Sequence, residues 1–74
     1  MIKVSLNVNG MMCSMCESHV NDIVRKTTKV KKVKSSHKKN LTIIIMESRK
    51  DLDLIVSAIK SLGYECNLKD IEEC

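Results

Sequence analysis

The chain has 74 residues, 43% of them hydrophobic, with no Phe or Trp, a single Tyr and a net charge of +4. Such a length predicts one domain, residues 1–74, with a thin core of Ile, Val, Leu and Met, and it excludes the enclosed active site that most metabolic enzymes build. The longest apolar stretch, Leu41 to Met46, is too short to span a bilayer and the N-terminus lacks a signal-peptide apolar segment, so a cytoplasmic protein without membrane insertion is expected.

Ile2, Val4, Leu6 and Val8 alternate with Lys3, Ser5 and Asn7, the period-two pattern of a strand with one buried face, and Asn9 and Gly10 break it. From Ser14 or Cys16 to about Thr28 the apolar residues Val20, Ile23 and Val24 recur at the spacing of one helix face, and the β-branched Thr27 and Thr28 help to end the helix. Val30 to about His37 reads as a second strand with Val30 and Val33 as its apolar contacts, followed by a turn at Lys38, Lys39 and Asn40. Leu41 to Met46, β-branched and apolar on both faces, predicts a central or covered strand that forms a hairpin with the one before it. Asp51 is placed to cap a second helix, in which Ile55, Ala58, Ile59 and Leu62 share a face until Gly63 stops it. Tyr64, Cys66 and Leu68 then alternate with Glu65, Asn67 and Lys69 in a short last strand, and Ile71 to Cys74 read as a frayed tail.

The order is βαββαβ. Two βαβ halves with right-handed crossovers predict an α+β, ferredoxin-like sandwich: a four-stranded antiparallel sheet, both helices on one face and the first strand central.

Arg25, Lys26, Lys29, Lys31, Lys32, Lys34, Lys38 and Lys39 fall in one stretch with no acid among them. Either these charges keep a helix end and an edge strand solvated, or they dock an acidic protein partner. Single-strand nucleic-acid binders add stacking aromatics, and the only aromatic, Tyr64, lies far along the chain, so no nucleic-acid partner is expected.

Four cysteines in a reduced, cytoplasmic chain point to metal binding or redox chemistry instead of disulfide staples. Gly10-Met11-Met12-Cys13-Ser14-Met15-Cys16 lies where the first strand hands over to the first helix, with Cys13 in a loop and Cys16 at a helix start. Backbone N–H groups at a helix N-terminus stabilise a thiolate, and two intervening residues let both sulfurs turn toward one ion. Two thiolates without a third evident ligand suit Cu(I), whereas structural Zn(II) normally takes four ligands in a closed tetrahedron. An open pair also suits transfer, because a partner's cysteine can attack the ion and take it by ligand exchange. The alternative is a dithiol redox protein; a thioredoxin-type site, however, needs another order of elements and a cis-proline, and this chain has no proline.

Three residues are candidate extra ligands. Cys66 shares strand parity with Tyr64 and Leu68, which predicts a small core residue, with ligation as the alternative. Cys74 ends an acidic tail and reads as an exposed thiol, unless it folds back onto the loop or bridges a second chain. His19, one helical turn after Cys16, either packs or approaches the metal. Ligands of this kind would favour Zn(II), Cd(II) or a Cu(I) cluster shared in a dimer. His37, at the end of the lysine-rich strand, is expected to be solvated.

The βαββαβ order and the Gly10 to Cys16 segment resemble the heavy-metal-associated domain family, whose motif runs G-M-x-C-x-x-C, and the likeness covers nearly the whole chain. That family includes copper chaperones, the N-terminal metal-binding domains of P-type metal-pumping ATPases and a mercury carrier. The resemblance implies Cys13 and Cys16 as ligands, Met11 as a buried support of the loop, and Hg(II) as a further candidate ion. It also implies a metal-transporting P-type ATPase or another metal-binding protein as partner, no catalysed reaction, and a monomer when metal-free, with a metal-bridged dimer left open. Met12 departs from the Thr or Ser usual in the family and Met15 adds a second thioether; each either packs or lies exposed, or touches the metal weakly. Tyr64 resembles a tyrosine near the metal loop of bacterial copper chaperones, where it shields or packs.

Overall fold

A computed structural model describes the whole chain except Cys13, Ser48 and Cys74. The alternation at its start forms β1 (Ile2–Asn9), with Val4, Leu6 and Val8 fully buried. There follow α1 (Ser14–Thr27), β2 (Lys32–Ser36), β3 (Leu41–Met46), a single 3₁₀ turn at Arg49–Asp51, α2 (Leu52–Ser61) and β4 (Glu65–Glu73). The strands form one antiparallel sheet in the order β2-β3-β1-β4. Val20 and Val24 of α1 and Leu52, Ile55 and Ile59 of α2 close over its buried face, joining Val4, Leu6, Val8, Val33, Ile44 and Met46 in one core. This is the ferredoxin-like sandwich that the element order predicts, with the first strand inside the sheet.

Differences from the sequence reading are local and have physical causes. β2 starts at Lys32, so Val30 packs against the core from the preceding segment, whose Lys31 N–H already donates to the Ile45 carbonyl at 2.7 Å. The position matching Val33 on the inner face is Ser35, a buried hydroxyl. Ser35 Oγ donates to Asn21 Oδ1 at 2.7 Å and lies 3.0 Å from the fully buried Thr42 Oγ1, so Thr42 donates to Ser35 and both hydroxyls are satisfied.

Asp51 occupies the N-cap position of α2, but its side chain makes no capping hydrogen bond; Oδ2 instead accepts from Thr28 Oγ1 at 2.9 Å, tying the end of α1 to the start of α2. Gly63 does stop α2. It has φ +98° and donates its N–H to the Lys60 carbonyl, as a C′ glycine does. Leu62 is the cap residue and 43% exposed, so it does not complete the buried face, whose remaining member is Leu52.

The supposed tail is part of the sheet. Ile71, Glu72 and Glu73 pair with Val4, Lys3 and Ile2, because the long central strand offers hydrogen-bonding groups along its whole length and an irregularity between Ser5 and Leu6 resets the register. The bulge turns Ile71 against the core, and Leu68, before it, is 46% exposed. Replacing Ile71 by Ala should therefore cost about 1–2 kcal/mol in urea unfolding, less than a fully buried Ile but well above the near-zero effect of a frayed end.

Candidate metal centre

The register of β1 brings three connections to one end of the molecule. Its Asn9 pairs with Glu65, so the segment leaving β1 and the segment entering β4 lie side by side. At the same end the turn between β2 and β3 folds over, and Val8 N–H donates to the Asn40 carbonyl at 2.9 Å.

Gly10 carries φ +111°, a backbone conformation that L side chains rarely adopt. A Cβ there would stand 3.0 Å from Tyr64 Cδ1 and 3.8 Å from Tyr64 Cα, so the ring lies directly over the glycine backbone. Tyr64 is half-buried and packed on the core. After the glycine, Met11 turns into the core with 5% exposure while Met12 is 84% exposed. One methionine anchors the loop, and its neighbour meets solvent. Cys16 is the third residue of α1, half-buried and packed against the core, and Met15 beside it is 68% exposed.

Cys13 and Cys74, read from the sequence as metal ligand and as exposed thiol, lie outside the described residues. His19 is exposed on α1. Cys66, opposite Val8 in the sheet, has 1% exposure and belongs to the core. Burial pushes its thiol above the ordinary value of 9.0, partly offset by the Lys60 ammonium, so it stays protonated at neutral pH and is a poor donor to a metal. Among the described residues no group of three or more His, Cys, Asp or Glu side chains could hold a metal ion. A surface cleft of about 300 Å³ beside Thr28, Val30, Met46 and Asp51 lies at the other end of the sheet, where Met46 pairs with Ile2.

One contact near the site was not legible in the sequence. Glu17, next to Cys16 in the first turn of α1, reaches the turn after β2, where its Oε2 accepts the His37 backbone N–H at 2.7 Å and lies 2.6 Å from His37 Nδ1. His37 is thus half-buried and engaged, not solvated as its lysine-rich surroundings suggest. The backbone N–H first, then the ring hydrogen bond, hold the Glu17 carboxyl below its ordinary value of 4.5. An acid in the first helical turn is a weak sequence signal, favourable to the helix dipole, but it says nothing of a partner twenty residues away.

No protein-family model matches the chain. It is 30% identical over 66 residues to a mercuric reductase of Shigella flexneri and 29% identical over 76 aligned residues to a copper-exporting P-type ATPase of Staphylococcus haemolyticus (strain JCSC1435). These matches take in 89% and 96% of this chain but 12% and 9% of those proteins, so the chain spans about a tenth of the length of the curated relatives it matches. Among solved structures it is similar to the yeast copper transporter domain CCC2A in its apo and Cu(I)-loaded states, with TM-score 0.84 and 27% identity over 95% of this chain and 97% of that one. Oxidized MerP from Ralstonia metallidurans CH34 gives 0.81 and 25% over 95% and 100%. The N-terminal domain of ZntA in its Zn(II) form gives 0.88 at 22% identity over 97% of each chain, a likeness of fold. Its neighbours among solved structures are heavy-metal-associated domains of metal-transport proteins, whose fold the chain shares along nearly its full length, with G-M-x-C-x-x-C at Gly10 to Cys16 running into its first helix.

Replacing Gly10 by Ala forces a side chain into a disfavoured backbone region and against Tyr64; a loss of about 1–3 kcal/mol in thermal or urea unfolding is expected. The Glu17 carboxylate contributes stability that is full above its unfolded value of about 4.5 and fades as pH falls through the lower folded value. The stability difference between the native protein and Glu17→Gln should accordingly be present at pH 7 and close progressively below pH ~4.5 in melts run at stepped pH.

Proposed function

We propose that the chain carries Cu(I) between the thiolates of Cys13 and Cys16 and passes it to a partner by ligand exchange, as a metallochaperone or stand-alone metal-binding domain. The observation that supports this most is the position of Cys16 in the first turn of α1, beside a loop fixed by buried Met11 and by Gly10 under Tyr64. Amide groups of the first turn favour the thiolate there, and two soft donors satisfy Cu(I). During transfer an incoming thiolate adds to the ion, one original sulfur leaves, and the metal stays Cu(I), so no oxidant or reductant is consumed. The protein catalyses no reaction in this reading, and Met12 and Met15, both strongly exposed, line the approach to the site as apolar, polarizable surface.

The basic flank supplies the docking surface. Lys26, Lys29, Lys31, Lys32, Lys34, Lys38 and Lys39 are all exposed, which suits an acidic face on a metal-transporting P-type ATPase or another metal-binding protein in the cytoplasm. No helix among the described residues is long and apolar enough to cross a membrane. A second reading, Hg(II), is favoured by the mercuric reductase relative and by the equal contentment of that ion with two thiolates. Zn(II) and Cd(II) fit less well, since Cys66 is a buried thiol and His19 points its helix position to solvent.

Anaerobic titration of the reduced protein with Cu(I), Hg(II) and Zn(II) against chelators of known affinity tests the metal and the site together. Tight Cu(I) binding, one ion per chain and lost on changing both Cys13 and Cys16 to Ser, is the expected outcome; preferred Zn(II) binding would replace the Cu(I) reading with a divalent-metal role.

A further inference from the structure

Glu17 places a carboxylate one residue after Cys16 and four after Cys13 in the sequence, within the first turn of the helix that opens the site. Side chains on a helix lean toward its N-terminus, which for Glu17 is the direction of the Cys-x-x-Cys segment. A carboxylate so placed is a natural third ligand for a divalent ion. It does not act as one here: the His37 backbone N–H at 2.7 Å and Nδ1 at 2.6 Å draw Oε2 to the turn after β2, and Cys16, Glu17 and His37 do not converge on a point that could hold an ion.

We infer that His37 sets the metal preference of the site by holding the Glu17 carboxylate away from it. The inference rests on Cys13 and Cys16 being the metal ligands. The chemistry of the two classes of ion makes the contact selective. Zn(II) with two thiolates is neutral and short of its four ligands, so an added carboxylate oxygen completes its coordination and contributes attraction. Cu(I) with two thiolates is already anionic and satisfied by soft donors, so a hard, negatively charged oxygen adds repulsion and little bonding. Withholding Glu17 therefore removes affinity for divalent ions while leaving Cu(I) untouched. His37 is a positioning residue in this scheme and touches no metal itself.

The test compares Zn(II) and Cu(I) affinities, by anaerobic chelator competition, for the native protein and four variants. His37→Ala removes the Nδ1 donor and leaves the backbone N–H as the remaining hold on the carboxylate, so it loosens Glu17 and is expected to bind Zn(II) more tightly, by up to about tenfold, in the range that residues behind a metal ligand command, with Cu(I) affinity unchanged. His37→Asn, whose side-chain amide N–H stands in for the Nδ1 donor, should keep the native preference. Adding Glu17→Gln to His37→Ala should abolish the gain. Glu17→Asp is an independent arm, since a side chain one methylene shorter loses His37 yet keeps a carboxylate beside the helix; it too should gain Zn(II) affinity. An unchanged metal preference in both His37→Ala and Glu17→Asp, or a gain that survives Glu17→Gln, overturns the role of His37. A native protein that binds neither ion would instead overturn the Cys13 and Cys16 reading beneath it.

Discussion

β1 pairs with β3 along one edge and with β4 along the other, and Asn9, Gly10 and Tyr64 take their positions from the register of this one strand. A slip of one residue would exchange Val4, Leu6 and Val8 for Lys3, Ser5 and Asn7 beneath the helices, so burial specifies the register strongly. That register places Asn9 beside Glu65 and Val8 beside Cys66, and it carries Tyr64 over Gly10. The loop that leads to Cys16 is therefore positioned by the core of the sheet, although among its described residues only Met11 is buried.

The division of labour between adjacent residues follows from this arrangement. Met11 and Met12 are chemically identical, yet one is core and the other faces solvent, because the backbone leaving Gly10 aims consecutive side chains in opposite directions. Cysteines divide in the same way. Cys66, on the inward parity of β4, is a protonated thiol in an apolar setting, whereas Cys16 stands half-buried in the first turn of α1.

Polar groups tie the elements together where the apolar core is thin. Thr28 joins Asp51 across the ends of the two helices, Asn21, Ser35 and Thr42 link α1 to β2 and β3, and Glu17 with His37 fastens the start of α1 to the turn after β2. The last of these lies beside the candidate metal site, so the same contact that braces the helix also governs which donors the site can present.

Legible from the order of residues alone are the element order, the inner face of β1, the buried pairs Val20 with Val24 and Ile55 with Ile59, the glycine that ends α2, and the motif that carries the family resemblance. These are properties of spacing along the chain, which periodicity and local backbone chemistry report directly. Contacts between distant segments establish that Ile71 to Glu73 extend the sheet, that Asp51 serves Thr28 in place of its own helix, that a buried hydroxyl stands at Ser35, and that His37 holds Glu17. Each of those depends on a partner distant in sequence, supplied by strand register or by helix packing, and a single chain read in order carries no signal of which distant group will arrive.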